Sequence, residues 1–228
     1  MTTVILRKVC KTFGEGELAV HALRDIDLDV DKTDFVCLSG PSGSGKTTLL
    51  NMVGGLDRPT SGEITVANKR VDLMDKGELA EMRLRNIGFI FQAYNLIPVL
   101  TARENVEFVM QLQGIPSETR LQKSTAILKE VGLDGLEDRK PAELSGGQQQ
   151  RVAVARALVS EPALILADEP TANLDSVTAE KLMDLLRHLN DEHGITFVIS
   201  THDKLVMSHA RRLLKMHDGK IVDDIKQR

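Results

Sequence analysis

The sequence predicts an α/β protein with a mainly parallel sheet, an antiparallel β part near the N-terminus and an inserted α-helical subdomain. Short apolar segments alternate with helical patterns in the first and last parts of the chain, as expected of a parallel sheet. In the middle, helical patterns follow one another directly. We therefore expect a single domain over residues 1–228, with its core at about 1–90 and 162–228 and its helical subdomain at about 93–160.

The N-terminal part is predicted to supply the first strands of the core. Apolar or alternating segments predict strands at residues 4–9, 22–30, 35–38 and 63–67. A helix is predicted at residues 47–53, and Leu79 and Met82 have helical spacing farther along. Strands and helices thus begin to alternate before the middle of the chain.

The middle and C-terminal parts complete this architecture. Thr101 and Glu104 form a capping box, which predicts the start of a helix. Helices are predicted at about 102–113, 117–131 and 148–159, with a polar loop at 134–144. Buried strands are predicted at 163–167 and 196–200, with a helix between them and one or two further strands in the tail.

The composition is that of a soluble globular protein. Hydrophobic residues make up 42%, charged residues 27%, and the formal net charge is −4. Lys and Arg are spread along the chain, so we expect no nucleic acid as main partner. Cys10 and Cys37 are predicted to be buried thiols in a reducing compartment. We find no signal-peptide core or membrane-spanning run and expect a cytoplasmic protein.

A glycine-rich loop lies between the strand at 35–38 and the helix at 47–53. It reads Gly-Pro-Ser-Gly-Ser-Gly-Lys-Thr over residues 40–47 and matches G-x-x-x-x-G-K-[ST]. In this pattern the main-chain N–H groups surround phosphates, the lysine reaches the β- and γ-phosphates, and the final hydroxyl ligates Mg²⁺. The sequence therefore predicts a site for a nucleoside triphosphate, formed by Gly40, Pro41, Ser42, Gly43, Ser44, Gly45, Lys46, Thr47 and Thr48.

Two carboxylates follow the buried strand at 163–167. Ligands gather at the carboxyl ends of strands in α/β sheets, so Asp168 and Glu169 should lie beside the glycine-rich loop. We predict that Asp168 holds Mg²⁺ and that Glu169 acts as general base on the attacking water. The alternative is an acidic turn without a ligand.

A second helix start suited to an anion lies at Ser145, Gly146, Gly147 and Gln148. Serine can cap the helix, and the glycines leave the first N–H groups accessible. One nucleotide does not need two such helix ends within one chain. One solution is that two chains each contribute one end to a shared nucleotide.

The segment Leu-Ser-Gly-Gly-Gln at 144–148, between the glycine-rich loop and the Asp168–Glu169 pair, resembles the signature of ATP-binding-cassette (ABC) ATPases. The resemblance covers essentially the whole chain. It implies a P-loop NTPase (RecA-like) core, ATP and Mg²⁺ as ligands, and head-to-tail dimerisation of two cassettes around two ATP molecules.

The resemblance also assigns four further residues. Gln92 matches the glutamine that touches Mg²⁺ and the attacking water, and His202 matches the histidine that contacts the γ-phosphate. Asp175 matches the aspartate that crosses to the opposite subunit, although it could also cap the following helix. Phe13 stands where the family places an aromatic residue on adenine; the alternative is that it only covers the sheet edge.

Within the family, the chain resembles the group that serves lipoprotein release, macrolide efflux and cell division. This resemblance rests on the segments 54–62, 87–98 and 168–175. The chain departs from the family at two places where a glycine is common, namely the turn 31–34 and Ala172. Since no membrane span is found, we expect a separate permease that docks near Gln92–Leu100, with the cassette peripheral on the cytoplasmic face of the plasma membrane.

Two other roles are compatible with the same motifs. A cassette of the cell-division type would regulate cell-wall hydrolases through a membrane partner without transport. ABC ATPases of translation or DNA repair usually carry two cassettes or a long coiled-coil insert, and neither is found here. The apolar segment after Gln92 could also be a packed edge of the helical subdomain instead of a docking site.

Overall fold

Two sheets and seven α-helices make up the computed structural model, which describes residues 1–227 apart from the side chain of residue 17. The strands are β1 (Thr2–Phe13), β2 (Val20–Asp31), β3 (Phe35–Ser39), β4 (Ser61–Val66), β5 (Lys69–Arg70), β6 (Ile87–Phe91), β7 (Leu164–Asp168), β8 (Thr196–Thr201), β9 (Arg212–His217) and β10 (Lys220–Lys226). The helices are α1 (Lys46–Val53), α2 (Lys76–Asn86), α3 (Ala102–Leu112), α4 (Ser117–Glu130), α5 (Gly146–Leu158), α6 (Ser176–His193) and α7 (Lys204–His209).

The larger sheet has six strands in the order β10-β9-β3-β8-β7-β6. The pairs from β9 to β6 are parallel, and only β9 and β10 form an antiparallel pair. The smaller sheet has the order β2-β1-β4-β5 and is antiparallel. The predicted combination of a mainly parallel sheet with an N-terminal antiparallel part is therefore confirmed.

The two faces of the larger sheet bury two different clusters. Val36, Leu38 and Val198 face a cluster shared with α1, α2 and the smaller sheet. Phe35 and Phe197 face the opposite cluster, which also contains buried residues of α3, α4, α5 and α6. Side chains alternate between faces along a strand, so a parallel strand covered on both faces is apolar throughout. This alternation explains why β3 and β8 read as continuous apolar runs.

Helices α3, α4 and α5 lie between β6 and β7 in the chain. The capping box predicted at Thr101 is present: its hydroxyl accepts from the Glu104 N–H, and the Glu104 carboxylate accepts from the Thr101 N–H. The division of the chain into a core and a helical subdomain at about 93–160 stays a prediction. None of the helices within residues 1–227 has the length and hydropathy that a membrane span requires.

Candidate functional site

The glycine-rich loop connects β3 to α1 and is held close to two other segments of main chain. Gly40, Gly43 and Gly45 have φ of +156°, +79° and +101°, values that favour glycine. A Cβ at Gly40 would lie 2.3 Å from the Met216 carbonyl oxygen, and one at Gly45 would lie 2.6 Å from that of Ala22. Glycine is therefore required at both positions by contact as well as by conformation.

The inner surface of this loop is built for an anion. The Lys46 ammonium group donates to the carbonyl oxygens of Gly40 and Pro41 at 2.8 and 3.1 Å, although the residue is only 8% exposed. The first N–H groups of α1 have no acceptor within the helix. The Ser44 hydroxyl is buried without a hydrogen-bond partner among the described residues. These unmatched donors fit the oxygens of a polyphosphate.

A hydroxyl and a carboxylate meet beside this loop. The Thr47 hydroxyl donates to Asp168 Oδ1 at 3.2 Å, and the Ser200 hydroxyl donates to the same oxygen. β7 and β8 are adjacent and parallel, which brings Asp168 and Ser200 to the same edge of the sheet. No group of three or more His, Cys, Asp or Glu side chains in residues 1–227 could hold a metal. Such a sparse set of oxygen ligands fits Mg²⁺, which usually keeps waters and phosphate oxygens as further ligands.

Glu169 and His202 are hydrogen-bonded to each other. His202 Nδ1 lies 2.8 Å from Glu169 Oε1, and the Thr201 hydroxyl donates to Oε2 at 3.2 Å. The Glu169 side chain is 17% exposed, whereas that of His202 is 71% exposed. Glu169 has a left-handed backbone with φ of +48°. Strained backbones of this kind are common at functional sites, and Glu169 lines the same cleft as the glycine-rich loop.

One open cleft of about 1340 Å³ brings most of the predicted residues together. Gln92, Glu169 and His202 line it together with the glycine-rich loop. Part of its wall was not predicted from the sequence and consists of His21, Arg24, His217 and Lys220 among others. This wall combines the start of β2 with the β9–β10 turn, so only the tertiary fold could have indicated it.

Several predicted residues lie outside the lining of this cleft: Gly40, Ser44 and Asp168, and also residues 145–148, Asp175 and Phe13. Residues 145–148 form a capping box at the start of α5, where the Ser145 hydroxyl accepts from the Gln148 N–H at 3.3 Å. Asp175 caps α6 and accepts from the N–H groups of Val177 and Thr178 at 3.1 and 3.0 Å. Phe13 is 45% exposed, and the Lys11 ammonium lies 4.8 Å from its ring centroid.

Comparison with known proteins identifies the family. The ABC transporter family model matches residues 23–172, which is more than half of the chain. The chain belongs to the ABC transporter family. Its fold is accordingly that of an ABC cassette, a P-loop NTPase, and the cassette is an ATP-binding ATPase.

Relatives of this cassette include both single cassettes and longer proteins. A macrolide export ATP-binding/permease protein, MacB, of Mannheimia succiniciproducens is 44% identical over 227 residues. The match covers 100% of the cassette but only 35% of that relative. An uncharacterized ABC transporter ATP-binding protein of Methanocaldococcus jannaschii, MJ0796, is 46% identical, and the match covers 98% of the cassette and 97% of that protein.

A solved structure of MJ0796 in a dimeric post-hydrolysis state bound to ADP and Pi superposes with a TM-score of 0.90. It is 44% identical to the cassette and covers 99% of each chain. A second dimeric structure of the same protein gives the same TM-score. The fold predicted from the sequence is thus shared with a cassette of which two solved structures are dimeric.

Proposed function

We propose that this cassette binds ATP with Mg²⁺, dimerises around it, and uses its hydrolysis to drive a separate membrane permease. The proposal is carried by one observation: the glycine-rich loop, Gln92, Glu169 and His202 converge on a single cleft. Lys46 and the loop amides hold the β- and γ-phosphates. Thr47, Asp168 and Gln92 hold Mg²⁺, which neutralises charge on those phosphates when bound.

Glu169 is proposed as the general base. Its carboxylate is fixed by Thr201 and His202 and faces the cleft, so it can accept a proton from a water aligned with the γ-phosphate. His202 is mostly exposed and can turn from Glu169 to contact the γ-phosphate. Phe13 is proposed to lie against the adenine; because Phe13 does not line the cleft here, that contact requires the base to extend beyond the cleft.

The dimer is proposed because the start of α5 lies outside the cleft of its own chain. Ser145, Gly146, Gly147 and Gln148 would instead complete the site of a second copy, with Asp175 at the same interface. The N–H groups of Gly146 and Gly147, which have no acceptor within the helix, suit a γ-phosphate. The dimeric solved relatives, one of them bound to ADP and Pi, support this arrangement.

The permease is proposed to dock beside Gln92–Leu100. A groove of about 320 Å³ begins there, lined by apolar side chains with Arg83 and Arg156 at its edge. Its apolar lining includes Leu56, Leu84, Phe89, Phe91 and Val109. Val99, in the same segment, is 73% exposed. Apolar surface of this kind commonly marks a protein partner, and a membrane partner would place the cassette on the cytoplasmic face of the membrane.

We assign the permease to the lipoprotein-releasing or macrolide-efflux group, which the resemblance of MacB to this cassette supports. The second candidate is the cell-division type, which would signal to cell-wall hydrolases without transport. Vesicles loaded with a labelled lipoprotein or a labelled macrolide separate the two: ATP-dependent transport of either supports the first, and the absence of both in a complex that still hydrolyses ATP favours the second.

Capture of the permease tests the docking surface. We expect a detergent pull-down with the cassette to yield an integral membrane protein identified by mass spectrometry, and we expect Val99→Asp to reduce its yield about tenfold or more by placing a charge in an apolar contact. Leu73→Asp is the matched control, because Leu73 is equally exposed at 73% but lies outside the segment Gln92–Leu100. Equal yields from both variants would contradict docking at this segment.

A further inference from the structure

Two consecutive residues with left-handed backbones follow Gln92. Tyr94 has φ of +58° and Asn95 has φ of +50°. A Cβ makes this conformation unfavourable; asparagine tolerates it better than a bulky residue such as tyrosine. A tandem of this kind persists only when neighbouring groups stabilise it. The turn at 94–95 therefore needs a partner elsewhere in the chain.

Arg156, on α5, is that partner. Its Nη2 donates to the Tyr94 carbonyl oxygen at 2.9 Å, and its Nη1 donates to the Asn95 carbonyl oxygen. The planar guanidinium thus spans both carbonyl groups of the left-handed pair with two parallel donors. Burial lowers the pKa of Arg156 from its usual value, which agrees with a charge surrounded by protein and satisfied by main-chain oxygens.

We propose that Arg156 is a positioning residue that holds the Tyr94–Asn95 turn and thereby sets the position of Gln92. The Gln92 carbonyl oxygen also accepts from Asn173 Nδ2 at 2.9 Å, so the segment is fixed on both sides of Ala93. This inference rests on the role proposed above for Gln92 at Mg²⁺ and the attacking water.

The same helix contacts the turn a second time. A Cβ at Gly146 would lie 2.9 Å from the Tyr94 hydroxyl oxygen, so the start of α5 packs directly against the tyrosine ring. α5 therefore touches the turn through Gly146 and through Arg156, ten residues later in the chain. A displacement of the Gln92 segment by a docked permease would be transmitted to the helix start that serves the second copy.

The chain contains its own reporter of this turn. Tyr94 is the only tyrosine, and there is no tryptophan. The intrinsic fluorescence of this chain excited at tyrosine wavelengths therefore comes from Tyr94. Its accessibility to acrylamide measures the order of the turn without reference to ATP hydrolysis.

Arg156→Lys tests the proposal, because an ammonium group cannot span both carbonyl groups as a guanidinium does. We expect acrylamide quenching of Tyr94 to rise, kcat for ATP to fall about tenfold or more, and the Kd for ADP to change by less than about threefold. Arg151→Lys is the matched control: Arg151 also lies on α5 and donates to a main-chain oxygen, that of Val131 at 3.0 Å, away from Gln92. It should leave the quenching unchanged.

A second substitution shows whether the arginine acts through the backbone of the turn. Glycine adopts a left-handed backbone freely, so Asn95→Gly should restore part of the kcat lost in Arg156→Lys. Unchanged Tyr94 quenching, or no recovery in the double variant, would overturn the proposal. If quenching rises while kcat stays normal, Arg156 holds the turn without serving hydrolysis, which also overturns it. A normal kcat in Gln92→Ala would instead show that Gln92 does not have the role in hydrolysis proposed for it.

Discussion

At the scale of single residues, the chain carries backbone strain in the turn 31–34, for which the family resemblance leads us to expect a glycine. Thr33 is exposed and has φ of +70° in the turn between β2 and β3. A left-handed backbone costs a residue with a Cβ about 1–2 kcal/mol, and it is especially unfavourable for a β-branched side chain. The turn 31–34, which departs from the family, therefore contains a residue with an unfavourable left-handed backbone, Thr33.

We expect Thr33→Gly to raise the free energy of unfolding. Relief of the strain exceeds the extra freedom that glycine gives the unfolded chain, so the net gain is about 0.5–1 kcal/mol. Chemical denaturation followed by circular dichroism measures it. Asn68→Gly is the control: Asn68 has a similar φ of +63°, but asparagine tolerates it, and the gain should be smaller. A lower free energy of unfolding in Thr33→Gly would contradict the presence of backbone strain at Thr33.

The residues of the site differ in how far the sequence could predict them. Lys46, Thr47 and Asp168 follow from local patterns, because a phosphate loop and a carboxylate at the end of a buried strand each have a physical reason for their spacing. Gln92 and His202 came only from the resemblance to the family. Arg24 and Lys220, which also line the cleft, belong to no local pattern, because β2 and the β9–β10 turn meet only in three dimensions.

At the scale of elements, most strands and helices could be predicted and one functional strand could not. β6 was not predicted, although it leads directly to Gln92. It follows α2 with no intervening turn and contains Gly88, which weakens a strand pattern. The structure explains this glycine, because a Cβ there would lie 2.4 Å from the Ala157 carbonyl oxygen. Residue 88 is glycine because of this close contact with α5, which the local sequence does not reveal.

Beside the short β4–β5 hairpin of the smaller sheet, Arg70 forms ion pairs with Glu63 and Asp72. Arg70 donates two hydrogen bonds to Asp72, at 2.9 and 2.7 Å, and the Ile64 N–H donates a third at 3.0 Å. The Asp72 side chain is only 7% exposed. These contacts, the Arg70 guanidinium first, hold the pKa of Asp72 below its usual value.

This lowered pKa predicts a dependence of stability on pH. The ionised form is stabilised in the folded state, so the contribution is complete above the unfolded pKa of about 3.9 and is lost as pH falls through the lower folded pKa. Asp72→Asn should lose about 1–2 kcal/mol at pH 7 and show a shallower loss of stability below about pH 4. Thermal denaturation across pH measures this. If Asp72→Asn lost stability below about pH 4 as steeply as the exposed loop variant Asp134→Asn, the assignment of this pH dependence to Asp72 would be ruled out.

At the scale of the whole molecule, we propose that one chain carries two incomplete halves of a nucleotide site. The cleft contains the phosphate loop, Glu169 and His202, whereas residues 145–148 lie elsewhere on the same chain. The sequence indicated this division through its two anion-binding helix starts. It could not show their separation, which depends on how α5 packs against the sheet.

The central claim is that a second copy completes the site, and the oligomeric state of a hydrolysis-deficient variant tests it most directly. Glu169→Gln removes the general base, so ATP should remain bound and hydrolysis should slow by about 10²-fold or more. The double variant Glu169→Gln/Ser145→Arg adds a bulky side chain at the proposed contact with the second copy. Glu169→Gln/Ser117→Arg is its control, because Ser117 starts α4 away from the cleft.

Size-exclusion chromatography with light scattering in the presence of ATP distinguishes these variants. We predict a dimer for Glu169→Gln and for the Ser117→Arg control, and a monomer that still binds ATP for the Ser145→Arg double variant. A Glu169→Gln protein that stays monomeric with ATP bound, or a Ser145→Arg double variant that dimerises normally, would contradict the shared site.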